Sequence, residues 1–135
     1  MTLLDTNVLI RALEQKDVEA LRCLEETAGR GEAVASVVSL AEMQAGADQA
    51  EEVLPALLAH GVGVLGLPVA SAAPCARAFA AYLAARRNQA PAAAPKTPLA
   101  DFFIGGHAEA CGFEIATDDD ARFRTYFPTV AVRKV

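Results

Sequence analysis

Met1-Thr2-Leu3-Leu4-Asp5-Thr6-Asn7-Val8-Leu9-Ile10 opens the chain with an apolar run, a polar triplet and a second apolar run. We predict that a short buried strand ends at Leu4 and that a helix begins at Val8, with the triplet in the turn between them. A carboxylate that follows a central parallel strand lies where open α/β sheets build their sites. Asp5 is therefore either a functional acid or a cap of the following helix, and the triplet alone does not decide between these roles.

The composition is typical of a compact α/β protein. Of the 135 residues 53% are hydrophobic and 6% aromatic, which argues against disorder and fits a single domain over residues 1–135. The net charge of −5 does not indicate a nucleic-acid-binding surface of the usual basic kind. Three cysteines without a Cys-x-x-Cys pattern, no secretory signal and no membrane span predict a cytoplasmic protein.

Strand and helix patterns alternate along the rest of the chain. Four further strands are predicted at 32–38, 62–67, 113–116 and 130–132, with helical patterns between them. This alternation predicts the α/β class, with a parallel sheet that is covered by helices on both faces.

Two helix starts carry an acidic residue. Ser39 and Glu42 have the spacing of a capping box, in which the glutamate reaches back to the serine amide. Thr97 as cap and Pro98 at the first helical position predict a helix in which Asp101 lies within the first turn. Both acids thus have a structural explanation that requires no function.

Residues 88–98 form a loop with three prolines, and basic residues flank it. Arg86 and Arg87 precede the loop and Lys96 lies within it. These three residues are candidates for substrate binding, since loops beside sites often hold substrate. An arginine at a helix end also simply suits the helix dipole.

Acidic residues follow or precede the predicted strands at four places. Asp5 follows the first strand, Glu42 begins the helix after the second, Asp101 begins the helix before the fourth, and 118–120 follow the fourth. If the first, second and fourth strands are neighbours, these acids meet at one edge of the sheet. Such a cluster needs protons or a bound cation, and oxygen ligands without Cys or His favour Mg²⁺ or Mn²⁺. A divalent cation in an acidic pocket suits phosphodiester cleavage.

These motifs together resemble the PIN-domain ribonucleases, and most closely the VapC-type toxins of type II toxin–antitoxin pairs. The resemblance covers nearly the whole chain. It is carried by the stretches 3–10, 39–42, 99–108, 117–119 and 124–128. It implies a three-layer α/β/α PIN-like domain with a central, mostly parallel sheet of four to five strands.

The resemblance also implies which residues form an Mg²⁺ site, with Mn²⁺ as a possible substitute. Asp5 and Asp101 would be the principal metal ligands, and Glu42 and Asp119 would complete the acidic site directly or through water. The run 118–120 leaves the fourth acid ambiguous, and Asp119 is chosen because it has the Thr-x-Asp spacing.

Supporting residues and partners follow from the same resemblance. Asn7 and Thr117 would be polar residues near the metal. The substrate would be RNA, a cognate antitoxin would block the site, and the protein would be a homodimer. The RNA that is cut, its cleavage site and the number of metals stay open.

Two other functions are compatible with parts of the sequence. A haloacid-dehalogenase-type phosphatase also begins with an apolar strand that ends in Asp, but its second Asp is replaced here by Asn7, which carries no transferable proton. A catalytically silent PIN-like module would instead hold a partner. The first helices and the helix near residues 53–58 would offer its apolar groove to an amphipathic helix.

Overall fold

The computed structural model describes residues 1–87 and 95–135. These residues form five strands, seven α-helices and two short 3₁₀ helices, at Ala50–Glu52 and Val69–Ser71. The strands are β1 (Thr2–Leu4), β2 (Ala33–Ser36), β3 (Gly63–Leu65), β4 (Glu114–Thr117) and β5 (Val132–Lys134). The helices are α1 (Thr6–Leu13), α2 (Val18–Gly29), α3 (Val37–Gly46), α4 (Val53–Ala59), α5 (Ala72–Arg86), α6 (Ala100–Cys111) and α7 (Asp120–Tyr126).

The five strands form one parallel sheet in the order β3-β2-β1-β4-β5. The first strand is therefore central, with β2 on one side and β4 on the other, as the clustering of the acids requires. Leu3 pairs in register with Val34 of β2 and with Ile115 of β4. The carboxyl ends of these three strands lie side by side at one edge.

Two hydrophobic cores cover the two faces of the sheet. Because side chains alternate along a strand, Leu3 and Leu4 of β1 point to opposite faces. Leu4 packs in a cluster with residues of α1, α2, α3 and α4, including Leu9 and Leu57. Leu3 packs in a second cluster with residues of α5, α6 and α7. The predicted three-layer α/β/α arrangement is thus confirmed, with an entirely parallel sheet of five strands.

The helix α6 packs closely because two glycines face its neighbours. A Cβ at Gly105 would overlap with the ring of Phe127, which is fully buried. A Cβ at Gly106 would lie 2.7 Å from the carbonyl oxygen of Ser71. The helix ends at Gly112, whose φ of 68° is a left-handed conformation that favours glycine.

Several predicted boundaries were wrong. The second strand ends at Ser36, whose hydroxyl accepts a hydrogen bond from the amide of Val38 and so starts α3 early. Ser39 consequently lies inside the helix, and the predicted capping box with Glu42 does not form. The last strand lies at Val132–Lys134 and not at 130–132, because an amide–carbonyl bond from Val130 to Phe127 keeps that segment in a turn.

The start of α6 also differs from the prediction. The helix begins at Ala100 after Leu99, without a side-chain cap, and neither Thr97 nor Pro98 is helical. Leu99 is half-buried against the second core and its carbonyl accepts from the amide of Phe102. Apolar anchoring therefore sets the helix start here. Of the predicted loop 88–98, residues 88–94 lie outside the described residues.

In residues 1–87 and 95–135, no helix combines the length and apolar character needed to cross a membrane.

Candidate metal and active site

Asp5 lies at the end of the central strand and is 3% exposed. One of its carboxylate oxygens (Oδ1) accepts from the amide of Thr6 at 2.8 Å, which caps α1. The other (Oδ2) accepts from the hydroxyl of Thr117 at 2.7 Å. Thr117 ends β4, so pairing between two strands brings together residues that are 112 positions apart in sequence. Asp5 is both a helix cap and a carboxylate fixed at the predicted edge.

The environment of Asp5 raises its pKa from the ordinary 3.8 to about 7. Burial is the largest cause, because it disfavours the charged form. The hydrogen bond from Thr117 acts in the opposite direction, while the negative charges of Asp101 and Asp118 raise the pKa further. Three of the predicted acids therefore interact electrostatically across the ends of β1, β4 and the start of α6.

Asp101 lies in the first turn of α6, and its side chain is 30% exposed. Its Oδ2 accepts from Nη1 of Arg122 at 2.9 Å, which makes an ion pair between α6 and α7. Arg122 is not among the site residues predicted from the sequence. The spacing of an arginine two residues after an acidic run is too common to single it out.

Glu42 is exposed on α3, and a hydroxyl relay connects it to the turn that holds Asp5. The Thr6 hydroxyl lies 2.6 Å from Oε1 of Glu42 and 2.9 Å from the hydroxyl of Ser39. Since a carboxylate only accepts, Thr6 donates to Glu42 and the Ser39 hydroxyl donates to Thr6. Thr6 and Ser39 were also missed as site residues. Two features of the sequence could have indicated them. Thr6 lies inside the opening polar triplet, and Ser39 lies three residues before Glu42, on the same helix face.

The three acids after β4 have different surroundings. Asp118 is half-buried, with Oδ2 at 3.9 Å from Nη1 of Arg11. Asp119 is exposed, and its amide donates to the Thr117 hydroxyl at 3.0 Å. Asp120 pairs with two cations of α7 and β5, which hold its pKa below the usual range. Asp120 is thus committed to a structural network, and the choice of Asp119 as fourth acid stays a prediction.

The supporting polar residues lie in contrasting places. Thr117 is buried and bonded directly to Asp5, whereas Asn7 is exposed in the first turn of α1. Within the described residues the Asn7 side chain makes no hydrogen bond.

Of the three basic candidates, Arg86 shares an aromatic neighbour with Arg122, the residue that pairs with Asp101. Arg86 is half-buried, its Nη1 donates to the Tyr82 hydroxyl and its guanidinium lies 5.4 Å from the Tyr82 ring centroid. The guanidinium of Arg122 lies 5.8 Å from the same centroid. Arg87 and Lys96 are exposed, and no contact links them to the acids among the described residues.

The donor chemistry of the edge fits a hard divalent cation. All the candidate ligands are oxygens, and Asp5 carries a raised pKa that a nearby positive charge would lower. Across residues 1–87 and 95–135, however, no three His, Cys, Asp or Glu side chains are already grouped for coordination. Asp101 is paired with Arg122, so the acids do not all converge in this conformation.

A separate groove lies between α1, α3 and α4, with a volume of about 410 Å³. Its apolar lining includes Leu13, Met43 and Val53, and acidic side chains also border it, among them Glu14 and Glu52.

No curated protein matches this chain, whereas several solved structures resemble it. The VapBC complex from Salmonella typhimurium, solved with DNA, has a TM-score of 0.71 at 21% identity and covers 98% of this chain and 96% of that one. FitAcB from Neisseria gonorrhoeae has a TM-score of 0.64 at 24% identity, with coverage of 98% and 96%. A toxin–antitoxin complex from Klebsiella pneumoniae has a TM-score of 0.64 at 21% identity and covers all of both chains.

These structural likenesses, which cover 98–100% of the chain, show a shared fold. The PIN-domain family model matches residues 2–127. The match includes every residue that the sequence analysis assigned to the acidic site. The chain belongs to the PIN-domain family.

Proposed function

We propose that this protein is an Mg²⁺-dependent endoribonuclease, the toxin of a type II toxin–antitoxin pair. The observation that carries the proposal is the buried Asp5, whose pKa is raised to about 7 by burial and by Asp101 and Asp118 at the carboxyl edge of the sheet. Keeping a carboxylate in this place is unfavourable for folding, and a bound cation would offset that cost. The family to which the chain belongs supports a nuclease as the function of such a site.

Asp5 and Asp101 would hold the cation, with Glu42 and Asp119 completing the site directly or through water. A bound Mg²⁺, or Mn²⁺ in its place, lowers the pKa of a water molecule and stabilises negative charge on a phosphate. The chain supplies the orientation. The Thr6 amide and the Thr117 hydroxyl fix both oxygens of Asp5, and the Thr6 hydroxyl fixes Glu42.

Substrate binding would use the basic side chains near the edge. Arg86 lies against the Tyr82 ring, which Arg122, the partner of Asp101, also approaches, so its position suits an RNA phosphate. Arg87 and Lys96 are exposed and would contact the RNA further from the site, as non-specific phosphate contacts.

The proposed partner is a cognate antitoxin, and the groove between α1, α3 and α4 supports it. Its apolar lining and the acidic side chains Glu14 and Glu52 suit an amphipathic helix that carries basic residues. The similar solved structures include a toxin–antitoxin complex. The protein would act in the cytoplasm as a homodimer.

The test is cleavage of mixed-sequence RNA by the full-length protein, with Mg²⁺ and with a chelator. We expect cleavage only with Mg²⁺, and a loss of about a hundredfold or more in Asp5→Asn and Asp101→Asn. Asp120→Asn is the matched control, because this acid is already paired with Arg124 and Lys134. Calorimetric Mg²⁺ binding by the native protein without cleavage of any RNA would support the silent binding module instead.

A further inference from the structure

We propose that Arg122 is an internal counterion of Asp101 that a divalent cation displaces, and that its freed guanidinium then binds an RNA phosphate. The inference rests on the proposed cation site at Asp101. It assigns to one side chain both the competition with the metal and a contact with the substrate.

Three helices hold Arg122 at the acidic edge. It projects from α7, its Nη1 lies 2.9 Å from Oδ2 of Asp101 on α6, and its guanidinium lies 5.8 Å from the ring centroid of Tyr82 on α5. The ring centroid of Phe102 is 6.0 Å away. The side chain is 30% exposed, so a ligand approaching from solvent can reach it.

Arg122 uses only one hydrogen bond in the described structure, the one to Asp101. A guanidinium has five N–H donors in a planar fork, so most of its donor capacity is free. Two other arginines pair with an acid that follows β4, Arg11 with Asp118 and Arg124 with Asp120, but both are hydrogen-bonded elsewhere as well. Arg124 bonds Asp120 and the Val132 carbonyl, and Arg11 bonds Asp17 and the Val135 carbonyl. Arg122 is the one of the three whose hydrogen-bonding partner is a proposed metal ligand.

Cation binding and this ion pair oppose each other. A divalent cation bound to the Asp101 carboxylate would replace Arg122 as its partner and would repel the neighbouring guanidinium. The ring contacts with Tyr82 and Phe102 would keep the guanidinium at the site. A guanidinium fork matches two oxygens of a phosphate, which would replace the carboxylate as its partner. Arg86 lies against the same Tyr82 ring, so two positive groups would flank the RNA backbone there.

The experiment measures Mn²⁺ binding by calorimetry for the native protein, Arg122→Gln and Arg124→Gln. The two variants lose the same charge from the same helix, but only Arg122 pairs with Asp101. We expect Arg122→Gln to bind Mn²⁺ about two- to fivefold more tightly than Arg124→Gln, the change that one partly exposed ion pair supports. Thermal unfolding of each variant verifies that it is folded.

The second measurement is the affinity for a labelled mixed-sequence oligoribonucleotide of 12 residues in Ca²⁺, by fluorescence anisotropy. We expect Arg122→Gln to bind about tenfold more weakly than Arg124→Gln. Arg122→Lys keeps the charge but lacks the fork. We expect it to bind Mn²⁺ like the native protein and the RNA more weakly.

The outcomes separate this inference from the proposed function. If the native protein binds Mn²⁺ and Arg122→Gln binds it no more tightly than Arg124→Gln, the inference is wrong. The ion pair of Arg122 with Asp101 then only stabilises the packing of α7 against α6. If RNA affinity is equal in the two variants, the phosphate role is wrong. If the native protein binds no divalent cation, the proposed function fails and this inference fails with it.

Discussion

Replacing Asp5 by asparagine should stabilise the protein at alkaline pH, although it removes a proposed metal ligand. The folded pKa of about 7 lies above the ordinary value of 3.8, so between these values the folded state binds a proton that the unfolded state has released. The contribution of the Asp5 carboxyl to the free energy of unfolding is therefore fully present below about pH 4, and it is lost as the pH rises through 7. Each pKa unit corresponds to about 1.4 kcal/mol, which gives a cost of about 4 kcal/mol at pH 8.

The asparagine removes this cost but disturbs one hydrogen bond. Its oxygen can still accept from the Thr6 amide, whereas its amino group faces the Thr117 hydroxyl, which donates to Asp5 in the native protein, so that hydrogen bond is lost. Such a loss costs about 1 kcal/mol. We therefore expect Asp5→Asn to be about 3 kcal/mol more stable than the native protein at pH 8, and about 1 kcal/mol less stable at pH 4.

The assay is urea unfolding followed by circular dichroism at both pH values, with a chelator present. Asp120→Asn is the control, because its effect on the free energy of unfolding should depend on pH in the opposite direction. Arg124 and Lys134 lower the pKa of Asp120, so its contribution is present at neutral pH and is lost on acidification. A difference between Asp5→Asn and the native protein that is the same at pH 4 and pH 8 would refute the reasoning.

Three further predictions concern packing, orientation and the cation. Gly105→Ala should lower the free energy of unfolding by about 1–3 kcal/mol in urea, because the added methyl overlaps a buried ring. Thr6→Val should cut RNA cleavage about tenfold by releasing Glu42, while unfolding in urea changes by only about 1 kcal/mol; Thr125→Val, on an exposed hydroxyl of α7, should leave cleavage unchanged. In thermal unfolding at pH 8, Mg²⁺ at a hundred times its dissociation constant from the native protein should raise the free energy of unfolding by about 2.7 kcal/mol. The same Mg²⁺ concentration should give no such increase in Asp101→Asn.

The sequence predicted the parts of the fold that depend on local pattern. The apolar run that ends at Leu4 and the alternation of strands with helices were sufficient to predict a parallel sheet with helices on both faces. The place of β1 between β2 and β4 entered the sequence analysis only as a condition for the acids to meet, and the structure meets that condition. Family membership removes the phosphatase alternative, which rested on the same opening strand. Boundaries were predicted less well, because side chains distant in sequence decide them. Leu99 starts α6 through its burial, which no local capping pattern indicates.

The candidate site was predicted as a list of acids but not as a network. Asp5, Glu42 and Asp101 stand in motifs that the sequence displays directly. Their partners depend on tertiary approach: Arg122 reaches Asp101 only because α7 packs beside α6. Neither the raised pKa of Asp5 nor its dependence on Asp118 follows from spacing, since both come from burial and from the pairing of β1 with β4.

The central position of β1 has a consequence for the order in which the protein is made. Thr2 is synthesised before its partner Glu114 on β4, which follows 112 residues later. At about 5–20 residues per second, synthesis of that interval takes about 6–22 s. For most of this time the growing chain has Asp5 but not Asp101, and throughout it Thr117 is still missing from the site. A nascent or prematurely terminated chain that stops before β4 therefore lacks the acidic edge, and any activity of that edge requires that β4 has been made.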